Sequence, residues 1–215
     1  MLNQIALGAS KASQNSCHFQ KKIARGITNI TAPPLLAIPC FIYLGLNDPR
    51  NFSSSEKLIL SLVVAVIFGA TLPIILVIAM FLLKKINDIH ITTREQRYLP
   101  FLLSILSFVT GTILLWLISG AGWLTAILLS YTLNTLVVML INYRWKISIH
   151  ATSIGGILAA FTILGGWMAS PLLSIVGLVT WARVYLKAHT AGQVLAGSLL
   201  GFFFTLFQLV FFFKL

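Results

Sequence analysis

The chain has 215 residues, 58% of them hydrophobic and 9% charged, with a mean hydropathy of +0.96. A soluble domain carries about a quarter charged residues, and several apolar runs here reach the ~20 residues that cross a bilayer, so a soluble globular domain is excluded. A transmembrane barrel is excluded too, because its ~10-residue alternating segments are replaced by long uninterrupted runs; the expected fold is an all-α, polytopic transmembrane helical bundle of six to seven spans.

The charge pattern narrows the chemistry. The net charge is +11, from 15 Lys and Arg against four acids, which are Asp48, Glu56, Asp88 and Glu95. No carboxylate side chain follows Glu95. That half of the chain therefore has no carboxylate pair for glycosidase chemistry and no acidic cluster for Mg²⁺ or Ca²⁺. Its surplus of cations suits an anionic ligand. Cys17 and Cys40 are too few and too far apart for a zinc motif and read as reduced thiols. No metal and no cofactor are expected.

Residues 1–29 are polar and basic, with Lys11, Lys21, Lys22 and Arg25 among Ile5, Leu7, Phe19, Ile23 and Ile27. They fit an interfacial amphipathic helix, a loosely ordered basic tail or a mitochondrial presequence. The first apolar run starts only near residue 30, so no signal peptide is evident. Residues 30–215 read as one transmembrane domain, with spans expected at 30–46, 58–83, 99–118, 123–141, 151–168, 171–186 and 191–213. Pro33, Pro34 and Pro39 make the first span short, bent or re-entrant. A tight Ser-Gly-Ala-Gly turn joins the third and fourth, and Ala169-Ser170-Pro171 joins the fifth and sixth.

Seven spans place the amino terminus and the loops at 84–98, 142–150 and 187–190 on one face. That face then holds every Lys and Arg except Arg50, Lys57 and Lys214. The positive-inside rule makes it cytoplasmic in a multi-pass protein of the cell membrane. The tail and the Lys84-Lys85 pair support this side independently of any binding site.

Three polar islands share the face. "HITTREQRYLP" carries His90, Arg94 and Arg97; "YRWKISIHATSIGG" carries Arg144, Lys146, Ser148 and His150; "ARVYLKAHTAGQVLAG" carries Arg183, Lys187, His189 and Gln193. Taken singly, Lys84, Lys85, Arg144 and Lys187 read as anchors that snorkel to the headgroups. His18 reads as a tail residue, His90 as an ordinary loop residue, and Trp123, Trp145, Trp167 and Trp181 as interfacial belt aromatics. His150 and His189 stand apart, because each sits where a loop gives way to a helix start, near a cation and beside a small residue. Helix amino termini offer free N–H groups to an anion, and arginine forks match phosphate oxygens. One histidine can attack phosphorus and a second can protonate the departing alkoxide. Arg183 and His189 are six apart and cannot stack on one helix face, so the chain is expected to turn between them.

The third island resembles the last signature of the type 2 phosphatidic acid phosphatase superfamily, S-R-x5-H-x3-D, through Arg183, His189 and, at the aspartate position, Gln193. The second is similar to the family's P-S-G-H, with Ser148 and His150 matched and Ile147 and Ile149 in place of Pro and Gly. Against the first signature, K-x6-R-P, Arg97 stands for the arginine, Pro100 comes two places late and His90 takes the lysine position, while Arg94 could supply the missing cation. The resemblance runs over residues 84–200. It implies a metal-independent phosphatase that hydrolyses a lipid phosphate (phosphatidate, phosphatidylglycerol phosphate or a polyprenyl phosphate) through a phosphohistidine. His189 would be the nucleophile and His150 the general acid. Arg183, Arg97 and Ser148 would hold the phosphoryl group with help from Arg94 and Lys146, and Gln193 would orient His189. The implied partners are the lipid phosphate and the surrounding membrane lipids, with no nucleic acid. Two other readings stay open: a phosphatase-like protein that binds phospholipid headgroups without turnover, and a small transporter or structural bundle whose basic loops only set topology.

Overall fold

A computed structural model describes residues 18–48 and 54–214, without the side chains of 212 and 213. Lys11, Cys17 and Arg50 lie outside the described residues. All regular structure among the described residues is helical. In chain order the helices are α1 (His18–Ile30), α2 (Pro33–Leu46), α3 (Ser55–Val66), α4 (Leu72–Leu82), α5 (Tyr98–Ser119), α6 (Trp123–Asn142), α7 (Ile149–Gly165), α8 (Leu172–Tyr185) and α9 (Ala191–Phe213). A π-helical turn, Ile67–Thr71, fuses α3 and α4 into one apolar run. The Ser107 hydroxyl donates to the Phe68 carbonyl in that turn at 2.6 Å, supporting the backbone where the helical register slips.

Five segments are long and apolar enough to cross a membrane by themselves: Ser55–Leu82, Arg94–Ser119, Trp123–Asn142, Ile149–Ala169 and Ala191–Phe211. The pair α1 and α2, bent by 47°, qualifies as a sixth when taken together. Pro33 and Pro34 sit in the first turn of α2, where a missing N–H costs nothing, so the bend falls just before them. At 14 residues each, α2 and α8 rise only about 21 Å, short of the ~30 Å hydrocarbon core. Large apolar side chains are exposed around the outside, Leu60, Leu106, Leu117 and Phe203 among them, while Phe41, Leu44, Leu115, Leu124 and Ile127 fill the inside. Helices apolar on both inner and outer faces are the pattern of a membrane bundle rather than of a soluble one. Trp145, Trp167 and Trp181 are exposed as belt aromatics should be, but Trp123 is buried in the core at the start of α6.

Cross-links at the two ends fix the alternation of the helices. At one end Arg97 donates to the Ile147 carbonyl (3.3 Å) and Lys146 to the Ala188 carbonyl (3.0 Å), while Tyr185 at the end of α8 donates to Gln20 of α1 (3.1 Å). At the other, the Trp123 N–H donates to the Asp48 carboxylate at 2.9 Å, an anion placed at a helix amino terminus. The three polar islands therefore gather at a single end.

Helices α7 and α9 make the closest backbone approach. A Cβ on Gly201 would run into the Thr152 carbonyl, one on Gly155 into the Ser198 carbonyl, and one on Gly197 would lie 2.7 Å from the Ser148 carbonyl. Small residues allow this contact where a membrane interior supplies no hydrophobic drive between helices. It sets the amino ends of α7 and α9, and thus His150 and His189, side by side.

Candidate functional site

The third island is built by two helix-end devices back to back. Helix α8 stops in a Schellman arrangement: the Ala188 N–H donates to the Arg183 carbonyl (3.1 Å), the Lys187 N–H to the Val184 carbonyl (2.9 Å), and Lys187 takes the left-handed conformation at φ 53°, the place usually given to glycine. The His189 N–H reaches the same Arg183 carbonyl at 3.3 Å. The six-residue spacing of Arg183 and His189 is thus the length of this helix stop, and the expected turn between them is present. The next residue, Thr190, caps α9 in a reciprocal box with Gln193: the Gln193 N–H donates to Thr190 Oγ1 (3.3 Å) and the Thr190 N–H to Gln193 Oε1 (3.1 Å).

That box corrects the expected role of Gln193. Its side-chain oxygen is taken by the Thr190 N–H, while His189 Nδ1 lies 3.2 Å from the carbonyl oxygen of Lys146. A carbonyl can only accept, so Nδ1 carries the proton and Nε2 is left with its lone pair. The Lys146 ammonium in turn donates to the Ala188 carbonyl at 3.0 Å, so the second and third islands clasp each other. Lys146 positions the site; it does not line the cavity.

Ser148 is also reassigned. It is fully buried as the amino cap of α7, its hydroxyl accepting the Ala151 N–H at 3.4 Å and its own N–H donating to the Gln193 carbonyl at 3.3 Å. Arg94 points away: it pairs with Glu95 at 3.2 Å and donates to the Arg144 carbonyl at 3.1 Å on the outer surface. Neither residue borders the cavity.

Arg97, His150, Arg183 and His189 do come together around one cavity of about 600 Å³. It runs from this polar end down between apolar walls that include Pro33, Pro73, Val77 and Phe108. Arg97 and Arg183 are 2% and 3% exposed. Arg97 spends Nε on the Ile91 carbonyl (2.8 Å) and Nη1 on Ile147, with Nη2 in neither bond. Arg183 Nε and His150 Nε2 are buried without a hydrogen-bond partner. No carboxylate lies within ion-pair distance of either arginine among the described residues. The Asp88 carboxylate reaches both only through its longer-range field, and two buried guanidinium groups without a direct ion pair are costly unless an anion completes the site.

The field of these cations shows in the loop groups. Burial first, and then Arg183, Arg97 and Lys146, push the His189 imidazole down to about 3, so it is neutral at ordinary pH. Burial and the cations Arg97 and Arg183 also hold Lys146 below its usual value.

His90, which read as an ordinary loop residue at the lysine position of the first signature and was given no role in the site, belongs to it. It lines the same cavity, with its ring centroid 6.3 Å from that of His150. The Lys146 carbonyl was missed as well, since a backbone acceptor leaves no side-chain signature. The signal for the α7–α9 contact was present, as Gly155 and the Gly197-x3-Gly201 spacing.

Fold and site together define an all-helical, membrane-type bundle with a cationic, histidine-bearing cavity at one end. No family model, curated protein or solved structure matches the chain.

Proposed function

We propose that the protein is an integral membrane lipid phosphatase that hydrolyses a lipid phosphomonoester or diphosphate through a phosphohistidine, in the manner of the type 2 phosphatidic acid phosphatases. The observation that carries this reading is the pair of buried arginines with no carboxylate at ion-pair distance among the described residues, Arg97 and Arg183, bordering one cavity with histidines. The two cations would hold the phosphoryl oxygens. The unbonded Nε2 of His189 would attack phosphorus as the P–O bond to the lipid alkoxide breaks, and His150, protonated in the complex, would give its proton to that alkoxide. Water would then attack the phosphohistidine with His150 as base, releasing phosphate and returning both residues to their starting state. The apolar stretch of the cavity suits the hydrocarbon part of such a substrate, and the positive-inside rule puts the site at the cytoplasmic face.

Phosphate release from phosphatidate, phosphatidylglycerol phosphate and polyprenyl phosphates in excess EDTA tests the proposal. Turnover that vanadate inhibits and His189→Ala abolishes is expected. An absolute Mg²⁺ requirement would defeat it. The neutral carbonyl at His189 Nδ1, where a carboxylate would better stabilise an imidazolium, favours one other reading. In that reading the site binds phospholipid headgroups without cleaving them, and vanadate binds while no phosphate is released.

A further inference from the structure

His90 belongs to a five-residue loop whose shape is fixed from several sides. The Asp88 carboxylate accepts the Thr92 N–H (3.0 Å) and hydroxyl (2.6 Å), and the Ile91 N–H donates to the Asp88 carbonyl (3.0 Å). Ile91 lies at φ 47°, a left-handed conformation that a β-branched residue adopts only when its surroundings force it. What holds it there is the buried Arg97, whose Nε grips the Ile91 carbonyl. One of the two site arginines thus spends a donor on keeping an otherwise strained backbone in place. The result is that the adjacent His90 stands at the cavity mouth, exposed to solvent on its outer side and facing the His150 ring within.

We propose that His90 is a further phosphate ligand of this site, one that engages only as an imidazolium, so that binding of a phosphate dianion draws a proton onto it. The proposal rests on the reading of the cavity as a phosphate site. The charged and titratable groups around His90 are Asp88 on its own loop, Arg183 from α8, Arg97 ahead of α5, His150 from α7 and His189 ahead of α9. Asp88 favours the imidazolium, but burial of the inner face and the Arg183 cation outweigh it, and His90 sits below its usual value in the empty site. It is therefore mostly neutral at neutral pH. An incoming dianion reverses the local field and favours the charged form, which adds an N–H donor and a positive charge at the mouth. Affinity should then fall as pH rises, by up to about tenfold per pH unit above the pKa of the free imidazole.

The test is calorimetric titration of inorganic phosphate into the full-length protein in detergent, between about pH 5.5 and 8. Wild type, His90→Lys and His90→Asn are compared, each in two buffers of different ionisation heat. The ionisation of phosphate itself is common to all three and cancels in their ratios. The wild-type dissociation constant, divided by that of His90→Lys, is expected to rise with pH. Proton uptake at neutral pH should be lower in both variants than in wild type, by as much as about one proton. His90→Asn, which cannot gain the charge, should bind weakly throughout. A ratio that stays flat, or a His90→Asn protein with wild-type affinity and proton uptake, overturns the assignment of His90 while leaving the phosphate site standing. Failure of wild type to bind phosphate at any pH removes the site reading and this proposal together.

Discussion

His189 and Lys146, 43 positions apart in the chain, are joined by a 3.2 Å contact between the imidazole Nδ1 and the Lys146 carbonyl oxygen. The imidazole proposed as nucleophile is thus oriented by the backbone of a neighbouring loop. Gln193, four residues on and at first sight the natural partner, is engaged in the α9 cap. Gln193→Asp should therefore leave turnover and its pH dependence close to wild type. Gln193→Ala should lower stability by about 0.3–1.5 kcal/mol, the worth of a capping contact, with kcat per folded molecule little changed. Thermal melting and expression-matched kcat check both; a large acceleration by Gln193→Asp would restore the side chain as the orienting group.

The two inner histidines should separate by leaving group. His189→Ala is expected to abolish turnover of every substrate. His150→Ala should cost about 10²–10⁴-fold with an alkyl phosphate, whose alkoxide needs a proton, and far less with an activated aryl phosphate. Equal losses on both substrates would remove His150 from the role of acid.

Stability should fall in acid through His189. In the unfolded chain this residue takes a proton near pH 6.5, whereas in the folded site burial and the neighbouring cations hold it neutral down to about 3. Between those values the unfolded state binds the extra proton. The folded state therefore has its full stability above about pH 6.5 and loses it as pH falls towards 3, at no more than about 1.4 kcal/mol per pH unit from this residue. Melting of the phosphate-free protein should show the slope, and His189→Gln should flatten part of it. Saturating phosphate should also weaken it, because a bound anion lowers the cost of a charged imidazole.

The α7–α9 contact should tolerate no side chain. Gly201→Ala places a methyl group against the Thr152 carbonyl and must push the helices apart, at a cost of about 1–3 kcal/mol. Because the Ser148 N–H to Gln193 carbonyl bond spans the same pair of helix ends, the displacement should also lower phosphate affinity in the protein that still folds. Gly192→Ala, with open space around its Cβ position, is the matched control: it should leave phosphate affinity unchanged and should not lower stability, since alanine suits a helix better than glycine.

Composition and hydropathy were enough to define the all-helical bundle, because apolar segments of this length leave the backbone no other way to satisfy itself in lipid. Counting spans by parity brought the three polar islands to one end, and the Arg183–His189 spacing announced a turn. Both are local or topological properties that a linear sequence carries. What the sequence left undecided were the partners of groups far apart in the chain. Ser148 read as a phosphate ligand and Gln193 as the residue orienting His189, but their side chains complete helix caps. Arg94 is drawn outward by Glu95 and the Arg144 carbonyl. His90 took the lysine position of the first signature yet read as an ordinary loop residue; the Arg97 bond to the carbonyl of the next residue and the shared cavity bring it into the site. Trp123 read as a belt aromatic because hydropathy records how apolar a residue is, not which side of its helix faces lipid. In each case a hydrogen bond or a packing contact decided the role, and such contacts exist only once the chain has folded.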